Sequence, residues 1–402
     1  MNIKTTLYKK KLISELYFNG DSSCADLSQK TAKSIPLTTK ILNELIEHGY
    51  VTETGYANST GGRRPLMFSL NKEVLYVLSV AMDQFITRIA LMDMQNQYVT
   101  EIEKFELDLH QNKNSLYELT EKISSFIQQL KIAKDKIAGI GIAMPGFVDI
   151  KKGINYSFLY NDNKNISRHI SQKVGLPVYI DNDSSLIALA ELRFGAARQK
   201  REAMVVNIGW GVGLGEIVDG KMFRGYNGFA GEFSHIPLFT NNKLCSCGKK
   251  GCLETETSLL AIVEKARTGL LEDRVSILQK AEMNNLEKAS DAILSAATAG
   301  DQYAVELLSD AGYKLGKGIA ILIHILNPEI IILSGRGAVA GKLWLTPIQQ
   351  AINEHCIPRI ATNTTIELSQ LDYQAELIGA AALVMENFEQ ETAGGYFANY
   401  SN

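Results

Sequence analysis

The sequence predicts a small head of three helices and a β-hairpin, followed by an α/β body in two lobes with mixed sheets. Three observations predict it. Apolar residues near the N-terminus recur at helical spacing and then give way to two short β-prone runs. Three closely spaced strand-like runs follow, and after them strands alternate with helices. A glycine-punctuated hairpin beginning at Met204 then opens what reads as a second lobe. A length of 402 residues suits two or three domains.

Each element has a local reason. In the head, Leu7, Leu12, Ile13, Leu16 and Tyr17 mark a first helix that stops at Asn19-Gly20. Ser22 or Ser23 can cap a second short helix running through Leu27. A third begins at Ser34, whose hydroxyl suits an N-cap, with Pro36 tolerated in the first turn. Its expected apolar face is Leu37, Ile41, Leu42 and Leu45, and Gly49 ends it. Tyr50–Thr52 and Leu66–Phe68 read as strands around the polar loop 58–65. In the body, strands are expected at Val74–Val80, Ile86–Met92, Tyr98–Phe105, Ile137–Ile142 and Val178–Ile180. Helices are expected at Leu116–Leu130 and Ser184–Arg193, and the second hairpin pairs Met204–Ile208 with Leu214–Val218. After Met385 periodicity ends, and a disordered tail is expected over 389–402.

Composition narrows the function classes. Hydrophobic residues at 46% and charged residues at 21% are those of a globular protein. No apolar run approaches the roughly 18 residues a membrane span needs, and the polar, basic N-terminus lacks a signal-peptide core. A cytoplasmic protein is therefore expected. The net charge of −3 hides an asymmetry: residues 1–71 hold nine Lys/Arg against six Asp/Glu, or +3, leaving −6 for the rest. A mildly basic head on an acidic body points to a polyanion contact.

Two constellations carry chemistry. In the head, the second helix of a helix-turn-helix would present its first turn to a DNA major groove, here Ser34, Ile35, Pro36, Thr39 and Lys40. Arg63 and Arg64 follow two glycines and could reach phosphates or the minor groove. On spacing alone, a helical dimerisation or lid domain fits these residues equally well. In the body, His235-x9-Cys245-x-Cys247-x4-Cys252 offers one imidazole and three thiols, enough to close a tetrahedral structural Zn2+ site. A disulfide fits less well, because Cys245 and Cys247 are too close in sequence for an easy bridge. With four protein ligands, no position remains for a catalytic water. Asn182-Asp183 lies between a strand and a helix, where Asp183 could face a cleft or serve the helix N-terminus.

These motifs resemble the repressor, open-reading-frame, kinase (ROK) family from residue 5 to 385. The run from Asp26 to Gly49 resembles its helix-turn-helix, and Gly61-Gly62-Arg63-Arg64-Pro65 its wing, with Lys33 where an apolar residue is usual. Gly231–His235 and Cys245–Glu254 resemble its metal signature, with Ser234 replacing a glycine. Asp181–Ser185 through Glu191 is similar to the catalytic-base segment of the family's kinases, and Gly139–Gly146 to the loop lining their cleft.

The resemblance implies a winged helix-turn-helix joined to a two-lobed, actin-like/ribonuclease H-like sugar-kinase fold. The implied domains are 1–71, 72–184 completed by 372–388, and 185–371 with the zinc site and oligomerisation helices. Gly146, Asn182, Asp183, Glu232, His235 and Glu254 would hold a sugar, His235 serving metal and ligand through different ring nitrogens. The phosphate side departs from the family. Ala81-Met82-Asp83-Gln84-Phe85 stands where an Asp-x-Gly-Gly-Thr turn is expected, and Gly209-Trp210-Gly211 carries indole in place of threonine. An inward Asp83 would repel a phosphate charge at about 4 Å by roughly 4 kcal/mol at an effective dielectric near 20. Asp183 is then a vestigial base, and no kinase activity is expected, although Ser334-Gly335-Arg336-Gly337 resembles a nucleotide-side loop. The expected function is a sugar-responsive repressor of carbohydrate genes. It would bind operator DNA as a dimer or tetramer, with a monosaccharide or sugar phosphate as effector and no membrane partner. The alternatives are an ATP-dependent hexose kinase with a DNA-binding head, and a repressor controlled by a docked transport or signalling protein.

Overall fold

A computed structural model describes residues 3–58, 64–159 and 165–389. Arg63 and most of the expected tail fall outside the described residues. The head consists of α1 (Ile3–Asn19), β1 (Ser22–Ser23), α2 (Cys24–Thr31), α3 (Ile35–Glu47), β2 (Val51–Tyr56) and β3 (Leu66–Leu70), with sheet order β1-β3-β2. It is a winged helix-turn-helix. Leu12, Ile13, Leu16 and Tyr17 of α1 bury with Leu27, Ile41, Leu42 and Leu45. A capping box at α2 joins the Ser23 hydroxyl to the Asp26 amide and the Asp26 carboxylate to the Ser23 amide. The helix runs past the expected Leu27 to Thr31, where Ala32 in the left-handed conformation ends it with its N–H on the Gln29 and Ser28 carbonyls.

Two expectations for α3 fail. The Ser34 hydroxyl makes no capping bond, because Pro36 and the backbone already set the first turn. Leu37 is not on the buried face; Thr38 takes its place beside Ile41, Leu42 and Leu45. The Tyr8 hydroxyl explains the exchange, since it hydrogen-bonds both Thr31 Oγ1 (3.1 Å) and Thr38 Oγ1 (2.6 Å) and so satisfies a buried threonine. Leu7, expected on the apolar stripe of α1, is also exposed. The buried Lys9 pairs with Glu44 at 2.9 Å, and Lys10 lies over the Phe388 ring, so two head cations are spent internally.

Two compact units follow from the contacts: Met1–Asn182 with the segment from Leu377 onward, and Asp183–Glu376. In the first unit, β4 (Tyr76–Met82), β5 (Ile86–Asp93) and β6 (Glu103–Glu106) form an antiparallel meander. α4 (Ser115–Gln129) leads to β7 (Ile137–Met144), the short hairpin β8 (Val148–Asp149) and β9 (Ile154–Asn155), α5 (Ile166–Val174) and β10 (Val178–Asn182). β7 and β10 extend the sheet in parallel, giving the order β10-β7-β4-β5-β6. The strand expected at Tyr98–Phe105 is shorter, with Tyr98 making only an isolated bridge to Met92.

The second unit begins with α6 (Asp183–Phe194), β11 (Ala203–Ile208), β12 (Val212–Val218) and β13 (Lys221–Phe223). α7 (Glu254–Thr257), α8 (Leu259–Leu271), α9 (Leu286–Thr298) and α10 (Gln302–Leu326) precede β14 (Ile330–Ser334). α11 (Lys342–His355), α12 (Pro358–Ala361) and β15 (Thr365–Leu368) complete the sheet, in the order β13-β12-β11-β14-β15.

The last helix, α13 (Ala375–Asn387), joins the first unit from Leu377. Gly141 of β7 lies so close to it that a Cβ there would sit 1.9 Å from the Ala380 carbonyl oxygen. On the head's side, the Ser14 hydroxyl donates to the Met385 carbonyl, and the Tyr17 hydroxyl bonds Asn96 of the β5–β6 connection. Among the described residues no helix is long and apolar enough to cross a membrane.

Candidate functional site

Every described head residue expected at DNA is on the surface: Ser34, Ile35, Pro36, Thr39, Lys40 and Arg64 are all exposed. The Cys24 thiol, at the start of α2, lies 3.2 Å from Thr39 Oγ1 and holds the two helices of the motif together at that turn. With Lys9 and Lys10 buried, the outward charge of the turn comes from Lys33 and Lys40.

The metal-ligand pattern closes in space. One ligand atom from each of His235, Cys245, Cys247 and Cys252 lies within 4.8 Å of all the others. His235 Nδ1 is 3.5 Å from Cys245 Sγ, and Cys247 Sγ is 3.6 Å from Cys252 Sγ. A tetrahedral zinc with bonds of about 2.3 Å to sulfur needs ligand separations of about 3.8 Å. The donor set therefore fits a structural metal. Burial pushes the Cys252 thiol up to about 12 and also raises Cys245. A cation supplies the compensation these thiols need to ionise.

The same imidazole serves a second neighbourhood. With Nδ1 toward the thiols, His235 Nε2 stands 3.6 Å from a Glu232 carboxylate oxygen. Burial pushes the Glu232 carboxyl up; His235 opposes this and Glu254 adds to it. Glu254 reaches the Cys245 thiol and the Ser246 hydroxyl with one oxygen and accepts from the Val212 amide (3.3 Å) with the other. Gly211 has no side chain because a Cβ there would lie 2.6 Å from that second oxygen. Asp183 opens α6, and its Oδ1 accepts from the Ser184 amide at 2.8 Å. Its Oδ2 is 3.5 Å from Asn207 Nδ2, which also donates to the Ser184 hydroxyl at 3.1 Å. Asp183 thus turns one oxygen to the start of its own helix and the other toward Asn207. In the first unit, Asn182 Nδ2 donates to the Gly146 carbonyl at 3.1 Å.

Both turns expected from the sequence on the phosphate side are closed by the chain's own groups. Asp83 Oδ1 accepts from the amides of Phe85 (2.8 Å) and Ile86 (2.7 Å), and the Asp83 amide donates to the Ile86 carbonyl. The carboxylate therefore closes its own turn. In the second unit, the Arg336 guanidinium lies 5.1 Å from the Trp210 ring centroid and 5.9 Å from that of Tyr373. It donates to Glu287 (2.8 Å) and Asp291 (2.9 Å), leaving its side chain 12% exposed. The nucleotide-side loop is thereby locked onto the indole.

Sequence reasoning missed several of these partners. Asn207 lies in an otherwise apolar strand, and Glu287 and Asp291 belong to α9, for which no expectation was drawn from the sequence. Glu191 proves to be a tertiary tie: it accepts from the Ala196 amide at 2.9 Å and from the Ser369 hydroxyl. Only its position near the end of α6, before Gly195, hinted at that role.

Known proteins resemble this chain throughout. The ROK family model matches residues 80–387 and so leaves the head outside it. The xylose repressor of Caldicellulosiruptor bescii is 30% identical over 388 residues, covering 95% of this chain and 94% of its own length. The transcriptional dual regulator NagC of Escherichia coli K12 is 31% identical over 366 residues, covering 90% and 87%. A crystal structure of a ROK family transcriptional regulator, described as a homologue of the E. coli MLC protein, superposes with a TM-score of 0.77 at 28% identity. It covers 96% of this chain and 97% of that one.

Proposed function

Because the chain belongs to the ROK family and is a sugar-responsive transcriptional regulator of its repressor kind, we propose that the head reads operator DNA while the body holds the effector. Ser34, Ile35, Pro36, Thr39 and Lys40 meet the major groove, and Arg63 and Arg64 the adjacent backbone or minor groove. One head touches too few base pairs for strong selection, so the active form is a homo-dimer or tetramer on a pseudo-palindrome. Acting on DNA places it in the cytoplasm.

The effector is a monosaccharide or sugar phosphate. Asp183, Glu232, His235 and Glu254 of the second unit supply the carboxylates and imidazole that grip vicinal hydroxyls. Zn2+ on His235, Cys245, Cys247 and Cys252 supplies structural cross-linking, and the protein fixes which His235 nitrogen remains for the sugar. A ligand moves the DNA equilibrium only by binding the two states of the body unequally. Phosphotransfer is not part of this function, and the observation that carries this is the Asp83 carboxylate seated on the amides of its own turn.

The test is operator affinity of the full chain by fluorescence anisotropy, with and without xylose, N-acetylglucosamine and their phosphates. A shift of tenfold or more with one of them is expected. No response to any sugar removes the effector and leaves control by a docked protein partner. Turnover of ATP with a sugar, lost in Asp183→Asn, overturns the non-enzymatic reading.

A further inference from the structure

The first turn of α3 distributes its residues against the usual logic of burial. Thr38 is fully buried, while Leu37 beside it is 41% exposed and Ile35 is 54% exposed. The Tyr8–Thr38 hydrogen bond ties this face of α3 to α1 and so fixes its roll, while the Thr38 hydroxyl also bonds the Ser34 carbonyl within its own turn. Leu37 and Thr38 flank the buried Ile41 and Leu45 about 100° apart, and the roll that buries Thr38 completely turns Leu37 toward solvent. Burying a leucine instead of a threonine would ordinarily stabilise a head this small. The fold forgoes that gain and presents two branched aliphatic side chains outward.

Their surroundings select the partner. Lys33, Ser34, Thr39 and Lys40 are exposed on the same turn, and the Ser34 hydroxyl is not used as a helix cap. The exposed cations of that turn, Lys33 and Lys40, suit a polyanionic partner better than the mixed-charge rim of a protein interface. A DNA major groove matches it: phosphates flank base edges there, and the thymine 5-methyl is the groove's one apolar group.

We infer that Leu37, with Ile35, reads thymine methyl groups and so sets part of the operator sequence. This rests on the reading of the head as the DNA-binding element. Lys33 and Lys40 supply sequence-independent attraction, whereas the aliphatic pair distinguishes T·A from C·G at the positions it covers.

The full-length protein is used to select duplexes from a randomised library, and each thymine of the selected duplex is then replaced by deoxyuracil, deleting one methyl group. Wild-type protein is expected to bind about fourfold more weakly at one or two positions per half-site, the effect of one lost buried methyl. Leu37→Ser should bind the thymine and uracil duplexes alike at a position the wild type reads, with its melting temperature lowered by no more than a few degrees. Leu37→Met, which keeps an apolar tip, should retain the discrimination. Indifference of the wild type to uracil everywhere overturns the inference while leaving the DNA-binding reading intact, as does wild-type discrimination in Leu37→Ser. Failure of the wild type to enrich any duplex overturns both.

Discussion

The two units of the body carry sheets of the same order, an antiparallel meander extended by two parallel strands, yet they are held by different forces. The first unit relies on aliphatic packing: Leu78, Val80, Ile89, Ile140 and Ile142 lie in one continuous buried cluster with Leu119 and Ile123 of α4. The second adds polar fasteners. These are the Cys/His cluster, the Arg336 clamp, and a lattice in which Lys265 and Lys314 each bond both Glu256 and Asp310. Even their phosphate-side turns are closed by different means, a single carboxylate in one and a stacked guanidinium in the other. A shared strand order therefore does not fix what stabilises a lobe.

The largest break in this comparison should come from metal. Structural zinc sites bind with free energies on the order of 10 kcal/mol, coupled to folding. Chelation or Cys252→Ser should make residues 235–260 protease-sensitive while the first unit's fragments persist; uniform resistance would show the cluster to be dispensable. Next is Arg336→Ala, which leaves Glu287 and Asp291 without their shared cation and uncovers Trp210. A loss of about 2–3 kcal/mol is expected, less than for a fully buried pair because Asp291 is largely exposed. Urea melts check it, and a change below half a kcal/mol would reduce the clamp to surface decoration. Asp83→Ala, in the first unit, should cost about 1 kcal/mol through two freed amides. Its measurable sign is amide hydrogen exchange that accelerates at Phe85 and Ile86.

The smallest effect depends on pH. Burial pushes the Glu191 carboxyl up, against the opposing hydrogen bonds of Ser369 and Ala196. A group raised in the folded state binds its proton more tightly there than in the unfolded chain. Its contribution is complete below the unfolded pKa of about 4.3 and is lost as pH rises through the folded value. Glu191→Gln should therefore gain on wild type by a few degrees in Tm as pH rises from about 4 toward neutrality. Parallel Tm curves for the two proteins would refute the assignment.

Local signals were legible wherever chemistry and spacing coincide. The His-x9-Cys-x-Cys-x4-Cys run names its own partners, because four ligands so near in sequence need only one turn to meet. The head's helices were readable from apolar periodicity, but the roll of α3 was not. A leucine outranks a threonine on any hydrophobicity scale, and the Tyr8 hydroxyl that reverses the order lies thirty residues away. The strand expected at Tyr98–Phe105 shortened for a similar reason, since alternation cannot show where a neighbouring strand stops offering partners.

The sequence by itself determined the fold class and set one histidine and three cysteines close enough in the chain to meet in one cluster, both matters of residue type and short spacing. Tertiary structure decided which groups fill the altered turns, which cations remain outward, and which helical residues face solvent. Those outcomes depend on hydrogen-bond partners brought from distant segments. A buried polar group must find such a partner or be turned out, and no local pattern records where it will be found.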